Sequence, residues 1–264
     1  MLQAAKNQFR VTLKTIKYGL MREMLNKTSF IMNVLFMILN NASFIIQWII
    51  LYSLKEDVGG YSFNQVLLLW AIAASTYGFS HFIFKKAYTL SDTITNGKLD
   101  SFLVQPKNVL ISAITTDIEV SALGDILYGF IVLFISGITI TKFLLFTLFT
   151  ITGAIIITDV AIILGSLSFW FGRSDMIADT GNNLMTSFAT YPDGIFKGLA
   201  KILLLTIIPI GLTAYFPIWV MTKFDIKLTL IIIALTIAIT ALTFVIFYRG
   251  LRRYSSSNLM ISKI

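Results

Sequence analysis

The chain contains no cysteine, which excludes a disulfide, a thiolate nucleophile and a cysteine-held metal. It has a single histidine, His81, too few for a histidine metal centre. No G-x-x-x-x-G-K-[ST] run occurs, so the chain holds no P-loop for ATP. G-x-S-x-G and H-E-x-x-H are absent as well, and no nucleophile–base–orienter set stands in their place. An intramembrane enzyme therefore has little support, and no catalytic or cofactor-binding residue is assigned. No internal repeat is visible, which weighs against an inverted-repeat secondary transporter. Short period-two alternation is missing too, which excludes a membrane barrel. Charge is scarce, at 13% of 264 residues.

Apolar residues are abundant. The chain is 56% hydrophobic, with a mean hydropathy of +0.83. A soluble domain of this length cannot hide so much apolar surface, and several runs exceed the ~18–20 residues that span a bilayer. The fold expected is an all-α polytopic membrane protein with six transmembrane helices. Residues 1–28 form an N-terminal amphipathic helix. Phe9, Leu13, Ile16, Leu20 and Met24 recur at three- and four-residue steps, and Lys6, Arg10, Lys14 and Lys17 share another face. Such a helix lies in the headgroup layer among anionic lipids, its lysine stems snorkelling. A signal peptide fits poorly, because the basic region is too long and no small-residue cleavage site follows.

Residues 29–264 form the transmembrane domain. Its first span, 29–54, carries Asn33, Asn40, Asn41 and Gln47, amides expected to turn towards other helices. The second runs from 63 to 84 and ends at Lys85-Lys86, with His81 just inside. The third rises from 109 to about 139, the fourth from 142 to 171, and the last from 228 to 248. Residues 174–225 allow two arrangements. Either the polar-striped segment beginning at Asp175 is the fifth span and 192–225 is an outer or re-entrant segment, or the striped segment stays cytoplasmic and 199–220 crosses. With both termini cytoplasmic and six crossings, Lys55, Lys142, Lys197, Lys201, Lys223 and Lys227 fall outside. The remaining Lys and Arg residues, Lys263 and every arginine included, fall inside, as the positive-inside rule requires. This placement also accounts for the net charge of +8 without nucleic acid as a partner.

Residues 89–108 form the longest polar interruption. Ser91 or Asp92 can cap a short helix and Gly97 can end it. Leu99, Phe102 and Leu103 give an apolar face, and Pro106 closes the segment. Ile94, Gly97, Leu99-Asp100, Leu103 and Pro106 resemble the pattern I-x-x-G-x-L-D-x-x-L-x-x-P of ATP-binding-cassette (ABC) transporter permeases of the type-2 exporter class, relatives of drug- and polysaccharide-export permeases. An interfacial helix with no partner is the alternative. The resemblance implies a cytoplasmic coupling helix between spans two and three that contacts an ATPase through Asn96, Gly97, Lys98, Leu99, Asp100, Phe102, Leu103 and Pro106. Leu99, Phe102 and Leu103 would be its buried anchors, with Lys98 and Asp100 as rim.

It further implies two cytoplasmic ATPase subunits carrying ATP and Mg, and a second permease in a homodimer or heterodimer. The location would be the cell (inner) membrane and the direction of transport outward. Aromatic content, 14% of the chain, suggests an apolar or amphipathic cargo, such as a drug, peptide or lipid. The family's short outer helices between spans five and six favour the first arrangement of 174–225.

Ionised Asp at a helix centre costs about 2.5–3.5 kcal/mol on insertion scales, so Asp125 and Asp159 need a reason. Either they face a polar translocation path or pair across a subunit interface, or each is protonated and bonds to a neighbouring Thr, Ser or backbone carbonyl. Asp175, Asp179, Asn182, Asn183 and Ser187 form the polar stripe and are further path candidates, an amphipathic surface helix being the alternative. Asp117 and Glu119 fit a helix N-terminus at the membrane surface. Two other readings remain: an ion-coupled secondary transporter using Asp125, Asp159 and His81, and a non-transporting scaffold.

Overall fold

The computed structural model describes residues 2–206 and 208–255; Lys263 lies outside the described residues. Among these residues the chain is helical, with one isolated bridge, Val58 to Tyr61, instead of a sheet. The helices are α1 (Leu2–Glu23), α2 (Lys27–Leu54), α3 (Phe63–Phe84), α4 (Leu90–Thr95), α5 (Asp100–Leu103), α6 (Val109–Ile114) and α7 (Ala122–Ile135). They continue with α8 (Ile140–Ser166), α9 (Ser168–Phe171), α10 (Asp175–Ala189), α11 (Gly198–Thr206), α12 (Phe216–Thr222) and α13 (Ile226–Leu251).

Local chemistry sets most boundaries. Asn26 accepts a hydrogen bond from Ser29 N and starts α2. Ser62 and Gln65 form a reciprocal capping box on α3. Asn108, Thr139 and Asp225 cap α6, α8 and α13 through side-chain oxygens, each satisfying an amide that the helix itself leaves orphaned.

α3 and α8 are central. About 67% of each apolar stretch is buried, against 11% for α2 and 22% for α13, so the last two form the rim of the bundle. α3 packs on α7 and α8, α13 on α8, and α2 on α7. The α3–α7 approach is close because small residues meet. A Cβ at Gly78 would lie 2.8 Å from Ala122 O, and one at Gly129 would lie 2.5 Å from Ala71 O. Small residues of this kind bring membrane helices together where no hydrophobic effect drives association.

Among the described residues four helices are long and apolar enough to cross a membrane, and five spans result if the bent pair Gly198–Thr206 and Gly211–Thr222 is taken as one. The third expected crossing is not continuous, since residues 115–121 leave the helix between α6 and α7. Thr115 and Thr116 hydroxyls bond back to Ile111 and Ala113 carbonyls, and Asp117 accepts from Ile118 N. These local bonds compete with the helix ladder. The 14 residues of α7 reach about 21 Å at 1.5 Å per residue, short of a ~30 Å hydrocarbon core.

In the 174–225 region, α10 packs on α8 and α3. α11 and the following helix are bent 72° apart. A five-residue π turn, Gly211–Tyr215, enters α12 and is buried throughout.

α1 meets the bundle through Gln8, whose Nε2 donates to Ser112 Oγ at 3.4 Å and whose Oε1 accepts from Asn108 N at 3.2 Å. Gly19 lies close against Ile118. Lys6, Arg10, Lys14 and Lys17 are exposed, and so are Phe9, Leu13, Met21 and Met24. The apolar stripe read from the sequence therefore turns away from this chain, apart from half-buried Ile16 and Leu20.

Candidate functional site: a polar cavity and an exposed polar segment

α2, α3 and α10 surround a cavity of about 520 Å³, with single contributions from α7, α8 and the π turn. One wall is aromatic: Phe44, Trp48, Trp70, Tyr77 and Tyr191. Phe44 stacks on Trp70 at 5.0 Å, and Trp48 meets Tyr191 at 6.0 Å. Polar lining comes from Asn40, Asn41, Gln47, Thr76, Asp125, Thr186 and Ser187. Asp125 is 6% exposed; its Oδ1 accepts from Asn41 Nδ2 at 2.6 Å, and Asn41 Nδ2 also donates to Met37 O. Trp70 Nε1 and Thr76 Oγ1 are buried with no hydrogen-bond partner among the described residues. Asn40, Phe44, Gln47, Ser187 and Tyr191 are the exposed members of the lining. They put the mouth between α2 and α10.

The path candidates divide. Asp125 and Ser187 line the cavity. Asp159 does not. It sits between α8 and α13, 4% exposed, where Oδ2 accepts from Thr240 Oγ1 at 2.6 Å. This contact is of the kind the hydroxyl-bonded alternative describes. Asp179, Asn183 and Ser187 are exposed on the outer face of α10, Asp175 is half-buried at its first turn, and Asn182 turns inward. The stripe is thus not one face. Asn182 is buried, as are Ala178, Met185 and Ala189 of the same helix, and its Oδ1 has no hydrogen-bond partner among the described residues.

His81 lies between the rings of Tyr77 and Tyr88, at 3.8 and 3.7 Å, with Nδ1 3.3 Å from Tyr77 O. No hydrogen bond among the described residues links His81, Asp125 and Asp159 into a relay. The aromatic wall was missed in the sequence. Its signal was Trp70, a tryptophan at mid-span, where such residues are expected nearer the interfaces.

The segment 89–108 folds as two short helices. Gly97, at φ +69°, ends α4, with Lys98 N donating to Thr93 O and Gly97 N to Ile94 O. The left-handed turn is the reason for glycine there. The residue preceding α4 is Thr89, so Ser91 and Asp92 lie inside its first turn instead of capping it. Ser91 is buried and shares a hydrogen bond with Ser168 at 2.6 Å; Ser168 in turn meets Ser174 at 2.7 Å. Asp92 pairs with Lys98 at 2.6 Å and accepts from Asn96.

Leu99 is fully buried within this chain, in a cluster with Leu90, Ile94, Leu110 and Phe247. It fastens the segment to the bundle and is unavailable as an anchor for another protein. Phe102 is half-buried against the same cluster. The exposed residues are Thr89, Asn96, Lys98, Asp100, Ser101, Leu103, Val104, Gln105, Pro106 and Lys107, with Val104, at 85%, the most open apolar side chain of the segment. Tyr254, beyond α13, donates to Asp100 Oδ1 at 2.8 Å. Burial, and then that bond, raise the Tyr254 phenol above its ordinary value.

Beside this segment, charged groups tie three elements together. Arg22 of α1 meets Asp117 at 2.8 Å, and Lys85 after α3 meets Glu119 at 2.9 Å and Asp117 at 3.8 Å. Partial burial pushes the Asp117 carboxyl up, but the Arg22 hydrogen bond and the Lys85 charge outweigh it and leave it below the ordinary value. Asp117 and Glu119 therefore act as ion-pair partners, not as complements to a helix N-terminus. Among the described residues no group of acidic and histidine side chains is arranged to hold a metal ion.

The long apolar helices are those of a multi-pass membrane protein, and they enclose a partly polar cavity. The family model for ABC-2 family transporter proteins matches residues 21–258. The chain belongs to that family and is an ABC-2 type permease, a membrane component of an ABC transport assembly that also includes ATPase subunits. A comparison with curated proteins gave no match.

Proposed function

We propose that this chain is the permease of an ATP-driven exporter in the cell (inner) membrane. It pairs with a second permease, in a homodimer or heterodimer, and with two separate ATPases that carry ATP and Mg. Its termini and the 89–108 segment face the cytoplasm, six crossings include α7 and one passage through 174–225, and the cargo is an apolar or amphipathic drug, peptide or lipid. The observation that carries the reading is the family match over 21–258.

Two features support the details. The cavity mouth lies between α2 and α10, and both helices turn polar side chains outward beside it: Asn33, Asn40 and Gln47 on α2, and Asp179, Asn183 and Ser187 on α10. A polar stripe at that depth is costly against lipid, and a second permease across the same face would shield it and close the path. The second feature is mechanical. ATP binding draws the ATPases together, the exposed tip Leu103–Lys107 moves with them, and the bundle shifts between inward- and outward-open packings.

Leu103 and Val104 replace Leu99 as the apolar contacts of that tip. Affinity purification of the full chain should bring down a Walker-motif ATPase. Leu103→Asp with Val104→Asp, both at exposed positions, should release it without lowering the yield of folded permease. Retention of the ATPase by the double variant would remove the tip from the coupling contact.

A further inference from the structure

The cavity is more selective than an apolar or amphipathic cargo requires. Its lining includes one carboxylate, Asp125, and no basic side chain. Asn41 supplies Asp125 with a neutral hydrogen bond at Oδ1; Oδ2 has no partner among the described residues. A buried carboxylate without a cation is the costly half of an ion pair, and a cationic ligand supplies the missing half. The wall beside it is aromatic, with the stacked Phe44 and Trp70 rings on one side and Tyr77 next to Asp125. Aromatic faces attract organic cations, by about 2 kcal/mol or more where water is excluded. Trp70 Nε1 and Thr76 Oγ1 are buried without partners among the described residues, an uncommon state for polar atoms that a ligand carrying an acceptor atom beside its charge relieves. The volume, about 520 Å³, lies within the ~300–1,000 Å³ of small-molecule sites.

We propose that this cavity is a binding site for lipophilic organic cations, with Asp125 holding the charge and Phe44, Trp70 and Tyr77 the apolar body. The proposal rests on the reading of the chain as an exporter permease and names the substrate class of that same site. A neutral lipid or a fatty anion leaves Asp125 uncompensated and is disfavoured. A peptide enters only through a basic, aromatic-sized end.

The test compares two probes of one shape and opposite charge, tetraphenylphosphonium and tetraphenylborate, on the full chain in lipid nanodiscs. Binding is read from tryptophan fluorescence, since Trp48 and Trp70 line the cavity. The phosphonium should bind saturably and at least tenfold more tightly than the borate. Asp125→Asn should lose at least tenfold of phosphonium affinity. Asp159→Asn, outside the cavity, should lose none. Equal binding of the two probes, absence of saturable phosphonium binding, or full affinity in Asp125→Asn would overturn the proposal. The probe comparison is made on the unaltered chain and stands even if Asp125→Asn does not fold. ATPase co-purification is measured separately, so an exporter permease that ignores cations is recognised as such.

Discussion

Asn41 and Asp125 meet at 2.6 Å, a polar contact between the rim helix α2 and α7, which also pack closely at Gly124. α2 buries just two of its residues, Asn41 and Trp48. Asn41→Leu removes the donor and leaves Asp125 enclosed beside an apolar group, a loss of about 1–2 kcal/mol. Thermal unfolding followed by size exclusion should show a lower midpoint for Asn41→Leu and a smaller change for Asn33→Leu, whose side chain is exposed.

Gly97 sets the angle between α4 and α5. An L-residue in the left-handed region costs roughly 1–2 kcal/mol, so Gly97→Val should loosen the segment while the long helices stay folded. Hydrogen exchange should rise over residues 96–107 and stay unchanged over α3 and α8. An unchanged 96–107 segment would mean that the turn tolerates a side chain.

The Asp117 ion network gives a pH dependence whose sign is fixed. The carboxyl titrates below its ordinary value of 3.8, so its contribution is full above that value and is lost as pH falls through the folded pKa. Docking of the α1 end should stay constant from about pH 8 down to about pH 5 and weaken only below the ordinary carboxylate range. Hydrogen exchange at residues 18–24 reads this directly. Arg22 is well exposed and Lys85 partly so, so added salt should weaken the same contact at neutral pH.

Ser91 and Ser168 join α4 to α9 at 2.6 Å, and Ser174 extends the cluster towards α10. These contacts suit a rigid connection between the coupling segment and the cavity's edge. Because the chain has no cysteine, Ser91→Cys with Ser168→Cys has no background. The disulfide should form and leave ATPase stimulation intact. Loss of stimulation on oxidation would show that the two elements must slide past each other.

The long helices were legible because crossing hydrocarbon demands uninterrupted apolar runs, and α2, α3, α8 and α13 have them. Gly97 and Pro106 were legible because their backbone constraints are local. What escaped was non-local. Thr240 explains Asp159 from 81 residues away. Leu99 looked like an anchor because amphipathic spacing shows that a face is apolar, not which body covers it; Leu110 and Phe247 cover it here. At the 115–121 break, Arg22 and Lys85 reach Asp117 and Glu119 from distant parts of the chain, pairings that the local sequence does not announce. The stripe on α10 was read as one polar face, yet Asn182 turns towards Met185.

The most direct measurement places a photo-crosslinker on the coupling tip. Val104→Cys, labelled with benzophenone-maleimide in membranes, should give an adduct between this chain and a Walker-motif ATPase, while the same label at Lys55→Cys should not. A tip that crosslinks to lipid alone, or an ATPase adduct formed from position 55 instead, would contradict the assignment of 89–108 as the ATPase contact.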